Sequence, residues 1–103
     1  MTTSASPVNP ASNISQDDIY AIARHYRLQW EEAQQCYVLL FPEGMIKLNG
    51  GAGEVLKRID GTQTVADIVA DIRQTFPDVP DIEGDIIAML GLALEKAWLE
   101  KRN

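Results

Sequence analysis

Only one cysteine and one histidine occur in 103 residues, and that scarcity removes several chemistries at once. A lone cysteine cannot close an internal disulfide, which fits a reducing, cytoplasmic setting. Structural zinc ordinarily takes four Cys or His ligands, more than Cys36 and His25 together supply, so no metal or other cofactor is expected. Neither Cys36 nor any serine stands in a recognisable nucleophile signature, which leaves little support for a self-contained enzyme. Positive charge is also scarce: nine Lys and Arg stand against fifteen Asp and Glu, for a net charge of −6. Nucleic acid and anionic membrane are therefore disfavoured as partners. No apolar run approaches the roughly 20 residues of a membrane span. No basic stretch followed by an apolar one opens the chain, so no export signal is expected.

The first sixteen residues, Met1 to Gln16, carry no charge and are rich in Ser, Thr, Asn and Pro. They offer too little apolar surface to offset the entropy of ordering, which predicts a flexible tail over 1–18, dispensable to the fold, and a folded domain over 19–103. Ser15 followed by Asp18 resembles a capping box, and Ile19, Ile22 and Ala23 then predict about two helical turns.

From Tyr26 onward the period changes to two. Tyr26, Leu28 and Trp30 alternate with Arg27, Gln29 and Glu31, as in a strand with one buried face. The unbroken apolar run Cys36 to Phe41 suits the central strand of a meander. Its position also favours a buried, inert Cys36 over a reactive thiol. Pro42-Glu43-Gly44 reverses the chain, with Gly44 expected at positive φ, into a third strand Met45 to Leu48. Everything after Asn49 reads as helix, so this strand keeps one row of N–H and C=O groups unpaired.

Asn49 is a natural N-cap for a first helix with Ala52, Val55, Leu56 and Ile59 on its inner face, closed by Asp60-Gly61. Thr64-Val65-Ala66-Asp67 caps a second, whose stripe is Val65, Ile68, Val69, Ile72 and Phe76 and which Pro77 stops. Asp81 is expected to cap a third, with Ile82, Ile86, Met89, Leu90, Ala93 and Ala97 inside. Its start is acidic and Lys96, Lys101 and Arg102 follow its end, matching the helix dipole. Three strands followed by three helices predict an α+β fold, a sheet covered on one face and winged-helix-like in layout.

Partial motifs fail on chemistry. Asn49-Gly50-Gly51-Ala52-Gly53 sits where a phosphate loop would, but it lacks the Gly-Lys-Ser/Thr ending, and Glu54 would face the phosphate. Its glycines are expected to serve a tight strand-to-helix turn. The second and third helices imitate a helix-turn-helix, yet Asp81, Glu83 and Asp85 would repel a DNA backbone. Ile87, Gly91, Leu94 and Trp98 form a second apolar stripe beside the inner one. This stripe is either covered by the N-terminal segment or the meander, or left as a groove wall.

The runs Arg27-Leu28-Gln29-Trp30-Glu31-Glu32, Tyr37-Val38-Leu39-Leu40-Phe41-Pro42-Glu43-Gly44-Met45-Ile46-Lys47-Leu48-Asn49 and Asp60-Gly61 with Thr64-Val65-Ala66-Asp67-Ile68-Val69 resemble the PqqD family of pyrroloquinoline quinone (PQQ) biosynthesis. The resemblance spans about Ile19 to Leu99. It implies a peptide chaperone that binds the precursor peptide PqqA and presents it to the radical SAM enzyme PqqE. In that fold the peptide is an extra strand beside the third strand, with the third helix as the other wall. Carried onto this chain, the edge is Met45, Ile46, Lys47 and Leu48, and the wall is Ile86, Ile87, Leu90 and Leu94. Gly50-Gly51 departs from the Pro, Ser or Thr often found at this helix start. The residues alone support the same reading less specifically, because adding a strand needs an open edge and an apolar groove but no catalytic group. The rival readings are an acidic winged-helix regulator, or a small enzyme or oligomer subunit. The open edge also leaves room for a swapped homodimer.

Overall fold

Pairing register organises the first half of the chain. A computed structural model describes residues 13–103. Strands β2 (Arg27–Glu31), β3 (Cys36–Phe41) and β4 (Gly44–Lys47) form an antiparallel sheet in the order β2-β3-β4. Leu28, Leu39 and Ile46 lie opposite one another, as do Trp30 and Tyr37. Because side chains alternate between faces, one face of the sheet carries Leu28, Leu39, Ile46 and Leu48. Leu39 is fully buried there, and Leu48 nearly so. The β3–β4 turn is built by Pro42-Glu43. Gly44 is not at positive φ as expected; among the described glycines only Gly61 is, at 84°.

Helix α1 (Gly50–Leu56) starts as expected, with the Ala52 N–H donating to Asn49 Oδ1 at 2.8 Å. It ends at Leu56, before Asp60-Gly61. The glycine this turn needs is not Gly50, where an added Cβ would meet nothing within 4 Å. It is Gly53, where a Cβ would lie 3.1 Å from the Tyr37 ring. Close approach of α1 to β3, rather than turn conformation, explains that glycine. Helix α2 (Val65–Thr75) has the expected capping box between Thr64 and Asp67. Arg58 ties the two helices, donating to Asp71 at 2.7 Å and to Glu54 at 2.9 Å.

Helix α3 (Ile82–Glu95) departs from expectation at both ends. Asp81 is left-handed, with φ 52°, and its side chain makes no capping hydrogen bond. At the other end the helix stops before Lys96, and Ala97 at φ 63° turns the chain into a further strand, β5 (Leu99–Lys101). That strand pairs antiparallel with β1 (Tyr20–Ile22), so the expected short helix after Asp18 is a strand, and not everything beyond Asn49 is helical. Ser15 and Asp18 form a turn, with the Asp18 N–H donating to the Ser15 carbonyl and the Ser15 N–H to the Asp18 carboxylate. A partner strand some 80 positions away supplied backbone hydrogen bonds that local spacing could not reveal.

The expected tail boundary moves accordingly. Val65 and Ala66 N–H groups donate to the Asp18 and Gln16 carbonyls, so residues 15–18 belong to the folded body; residues 1–12 of the expected tail lie outside the described residues. One core unites the layers, with Leu39, Leu56, Val65, Ile68, Ile86 and Leu90 at its centre. Among the described residues no helix is long and apolar enough to cross a membrane.

Candidate functional site: an open strand edge and an apolar groove

Among the described residues strand β4 pairs with β3 on one side and with no strand on the other. Which backbone groups face outward follows from the ladder. The Leu48 N–H donates to the Tyr37 carbonyl at 3.0 Å, and the register continues as Lys47 opposite Val38 and Ile46 opposite Leu39. Hydrogen-bonded and non-hydrogen-bonded pairs alternate in an antiparallel ladder, so Gly44, Ile46 and Leu48 direct their backbone groups to β3. Met45 and Lys47 direct theirs away, leaving two N–H and two C=O groups to an incoming strand.

Side chains at the edge divide the same way. Met45 is 49% exposed and Lys47 is exposed, both on the face away from the core, while Ile46 is half-buried and Leu48 buried. Of the expected edge residues, Met45 and Lys47 therefore offer backbone and side chain to a ligand. Ile46 and Leu48 anchor the strand to the body.

Leaving β4, the chain enters the mouth of a groove of about 590 Å³. Asn49, Gly50 and Gly51 form its near end. Phe76 and Val79, from the α2–α3 connection, and Ile82, Ile86 and Met89, on α3, form its apolar wall. Phe76 is 36% exposed and Val79 41%, and because both line the same groove they leave its apolar wall open to solvent. The residues after α2 reach this position because Pro77 and Pro80 prevent the helix from continuing.

The expected helix wall is only partly here. Ile86 lines the groove but is itself almost fully buried, and Leu90 is wholly buried in the core. Ile87 and Leu94 are half-buried against that core. At about 100° per residue they share the flank of α3 that carries Glu83, roughly 100° or more around from Ile82 and Met89. Glu83 accepts from Gln16 Nε2 at 2.8 Å and from Arg73 at 3.2 Å, so that flank faces α2 and the N-terminal segment. The second stripe is thus partly covered, with Gly91 and Trp98 buried outright. Phe76 and Val79 escaped sequence reasoning: Phe76 was assigned to the core stripe, and Val79 stands in an irregular segment with no period.

Electrostatics at the groove are acidic. Asp85 lines it and is exposed, and Glu54 stands at the rim. The Arg58 side chain, with Lys57 assisting, holds the Glu54 carboxyl below the usual carboxylate range against the opposing effect of burial. Among the described residues no cluster of His, Cys, Asp and Glu has the arrangement of a metal site.

Known proteins bear on this geometry. The family model described as Coenzyme PQQ synthesis protein D (PqqD) matches residues 36–99. A protein of Stutzerimonas stutzeri named PqqA binding protein is 48% identical over 91 residues, covering 88% of this chain and 99% of its own length. A PqqA binding protein of Pseudomonas aeruginosa is 51% identical over 86 residues, covering 84% of this chain and 94% of its own. The solution NMR structure of the PqqD truncation of Methylobacterium extorquens PqqCD superposes with a TM-score of 0.71 at 36% identity, covering 90% of this chain and 99% of that one. That structure is described as a functional, stand-alone recognition element for ribosomally synthesised and post-translationally modified peptides.

Proposed function

The chain belongs to the PqqD family, and from that premise we propose that it binds the precursor peptide PqqA as an added strand on β4 and presents it to the radical SAM enzyme PqqE. The observation that carries the reading is the outward backbone of Met45 and Lys47 running directly into the apolar groove at Asn49. Main-chain hydrogen bonds supply affinity and are blind to sequence; the groove supplies selection by accepting alternate side chains. The contacts on the helix side are Phe76, Val79, Ile82, Ile86 and Met89, with Ile87, Leu90 and Leu94 serving mainly the core.

Presentation, rather than chemistry on the peptide, is the role that suits these residues. The edge and groove hold an exposed lysine, backbone amides, apolar side chains and the carboxylates of Asp85 and Glu54, the latter tied to Arg58 and Lys57, and no nucleophile stands paired with a base among them. Calorimetric titration of the purified chain with synthetic PqqA tests the reading. Saturable one-to-one binding is expected, together with a negative heat-capacity change from apolar burial in the groove. Absence of binding, or binding retained in full by Lys47→Pro, contradicts it.

A further inference from the structure

A second surface stands out by its charge. Among the described residues the ion pairs engage Lys57, Arg58, Arg73 and Lys101, and Arg24 and Arg27 take part in none of them. Residues 1–12 contain no Asp or Glu to pair with them. Both arginines, with His25, line a depression of about 370 Å³ at the corner of the sheet, whose remaining lining is Tyr26, Leu40 and Phe41. The Glu100 carboxylate lies beside the corner and accepts from the Arg24 backbone N–H at 3.2 Å rather than from its guanidinium.

Two unpaired guanidinium groups beside an apolar floor form a receptor for a carboxylate, because the floor lowers the local dielectric and Arg offers a two-pronged donor set. The whole chain carries −6, so this corner is a local reversal of sign. An acidic surface approaching the protein is drawn to two neighbouring cations here that no ion pair among the described residues neutralises.

Position adds meaning to the charge. Arg27 lies opposite Leu40, and Leu40 opposite Met45, so the corner and the exposed Met45 share one row across the outer face of the sheet. Strands are about 4.8 Å apart, which puts a peptide added to β4 within about 15 Å of Arg27. A protein seated on the corner therefore touches the bound peptide's neighbourhood without competing for the β4 edge.

We infer that the Arg24–Arg27 corner, continued by Leu40, is the seat for an acidic, partly apolar patch on the protein that receives the peptide. The inference rests on the functional reading above. Its test uses PqqE as the partner and PqqA as the control ligand. The charge-reversed Arg24→Glu/Arg27→Glu chain should lose at least about tenfold in affinity for PqqE while holding PqqA like the parent. Arg24→Lys/Arg27→Lys should fall between the parent and the charge-reversed chain, because the charge stays while the two-pronged donation is lost. Raising salt should weaken PqqE binding by the parent and barely affect the charge-reversed chain. Amide exchange on the unmodified protein gives a readout free of substitution: PqqE should slow exchange at residues 24–27 and 40–41. A charge-reversed chain that binds PqqE like the parent, or PqqE protection confined to the helices, overturns the inference while PqqA binding stands. A parent that binds PqqA but not PqqE overturns it too. A parent that ignores PqqA overturns the functional reading, and this inference with it.

Discussion

Asp18 illustrates how one side chain holds distant parts of the chain together. It is 6% exposed, yet its carboxylate accepts from the Ser15 N–H at 2.9 Å and from the Tyr20 hydroxyl at 2.8 Å, and Lys101 approaches to 3.3 Å. Burial acts to raise its pKa, but the Ser15, Tyr20 and Lys101 contacts outweigh it and hold the group below the ordinary carboxylate value. Burial and the neighbouring carboxylate push the Tyr20 hydroxyl well above its usual value. A folded-state pKa depressed in this way stabilises the protein above the unfolded value of about 4 and loses that contribution as pH falls through the folded one. Asp18→Ala should therefore destabilise by about 1 to 3 kcal/mol at neutral pH, since it strands a buried hydroxyl and an N–H. In urea unfolding the gap between variant and parent should narrow below about pH 4; an unchanged gap at acid pH would show that the carboxylate's charge is irrelevant. At this scale the sequence was readable where the chemistry is local. Asn49, Thr64 and Asp67 announce their caps within three residues. Asp81 misleads, because nothing local reveals its left-handed backbone, and Ser15 with Asp18 reads as a capping box because the true partners of Asp18, Tyr20 and Lys101, meet only through the β1–β5 pairing.

Among the elements, β4 makes the sharpest claim, since its two rows of backbone groups have different partners. Ile46→Pro removes a ladder donor to β3 and should unfold the meander, whereas Lys47→Pro removes an outward donor and should fold with markedly weaker PqqA binding. Circular dichroism and calorimetry on both variants check this, and the reverse pattern would mean the alternation is out of phase. Helix α3 makes a second claim. Leu90→Ala should destabilise by about 2 to 5 kcal/mol, because a fully buried Leu loses transfer energy and leaves a cavity. Val79→Ser should weaken PqqA with little loss of melting temperature, because Val79 is already 41% exposed. Leu94→Ser should do the opposite, as Leu94 packs on the core from the other flank. If Leu94→Ser weakens the peptide and Val79→Ser does not, the groove lies on the wrong side of α3. The three-stranded sheet and three helices were legible because alternation, helical period and caps each span several residues. The strands β1 and β5 were not: each has three residues, too few to set a period, and their pairing is a tertiary event.

At the scale of the whole molecule, the N-terminal segment is stitched to the body from both sides. Gln16 takes the Ala66 N–H and donates to Glu83, and the Asn103 side chain donates to the Asp17 carbonyl and accepts from the Ile19 N–H. Deletion of residues 1–16 should therefore lower the melting temperature by several degrees for a loss of about 1 to 2 kcal/mol. An unchanged melting point would mean the contacts of Ser15 and Gln16 are worth nothing in solution. Composition had argued for a tail through residue 18, and it erred because a few backbone hydrogen bonds can anchor a polar segment that buries little apolar surface. The same limit applies to the site: an open edge is visible in sequence as a strand with no later partner, but the groove beside it is assembled from Asn49, Phe76, Val79 and Met89, which only the fold brings together. Residue-resolved amide exchange with and without PqqA tests the central claim most directly. In the free protein Ile46 and Leu48 should be protected and Met45 and Lys47 should exchange quickly; PqqA should slow Met45 and Lys47 by about tenfold or more, as new backbone hydrogen bonds form. If PqqA binds while Met45 and Lys47 exchange as before, or if protection appears along β2 instead, the peptide is not an added strand on β4.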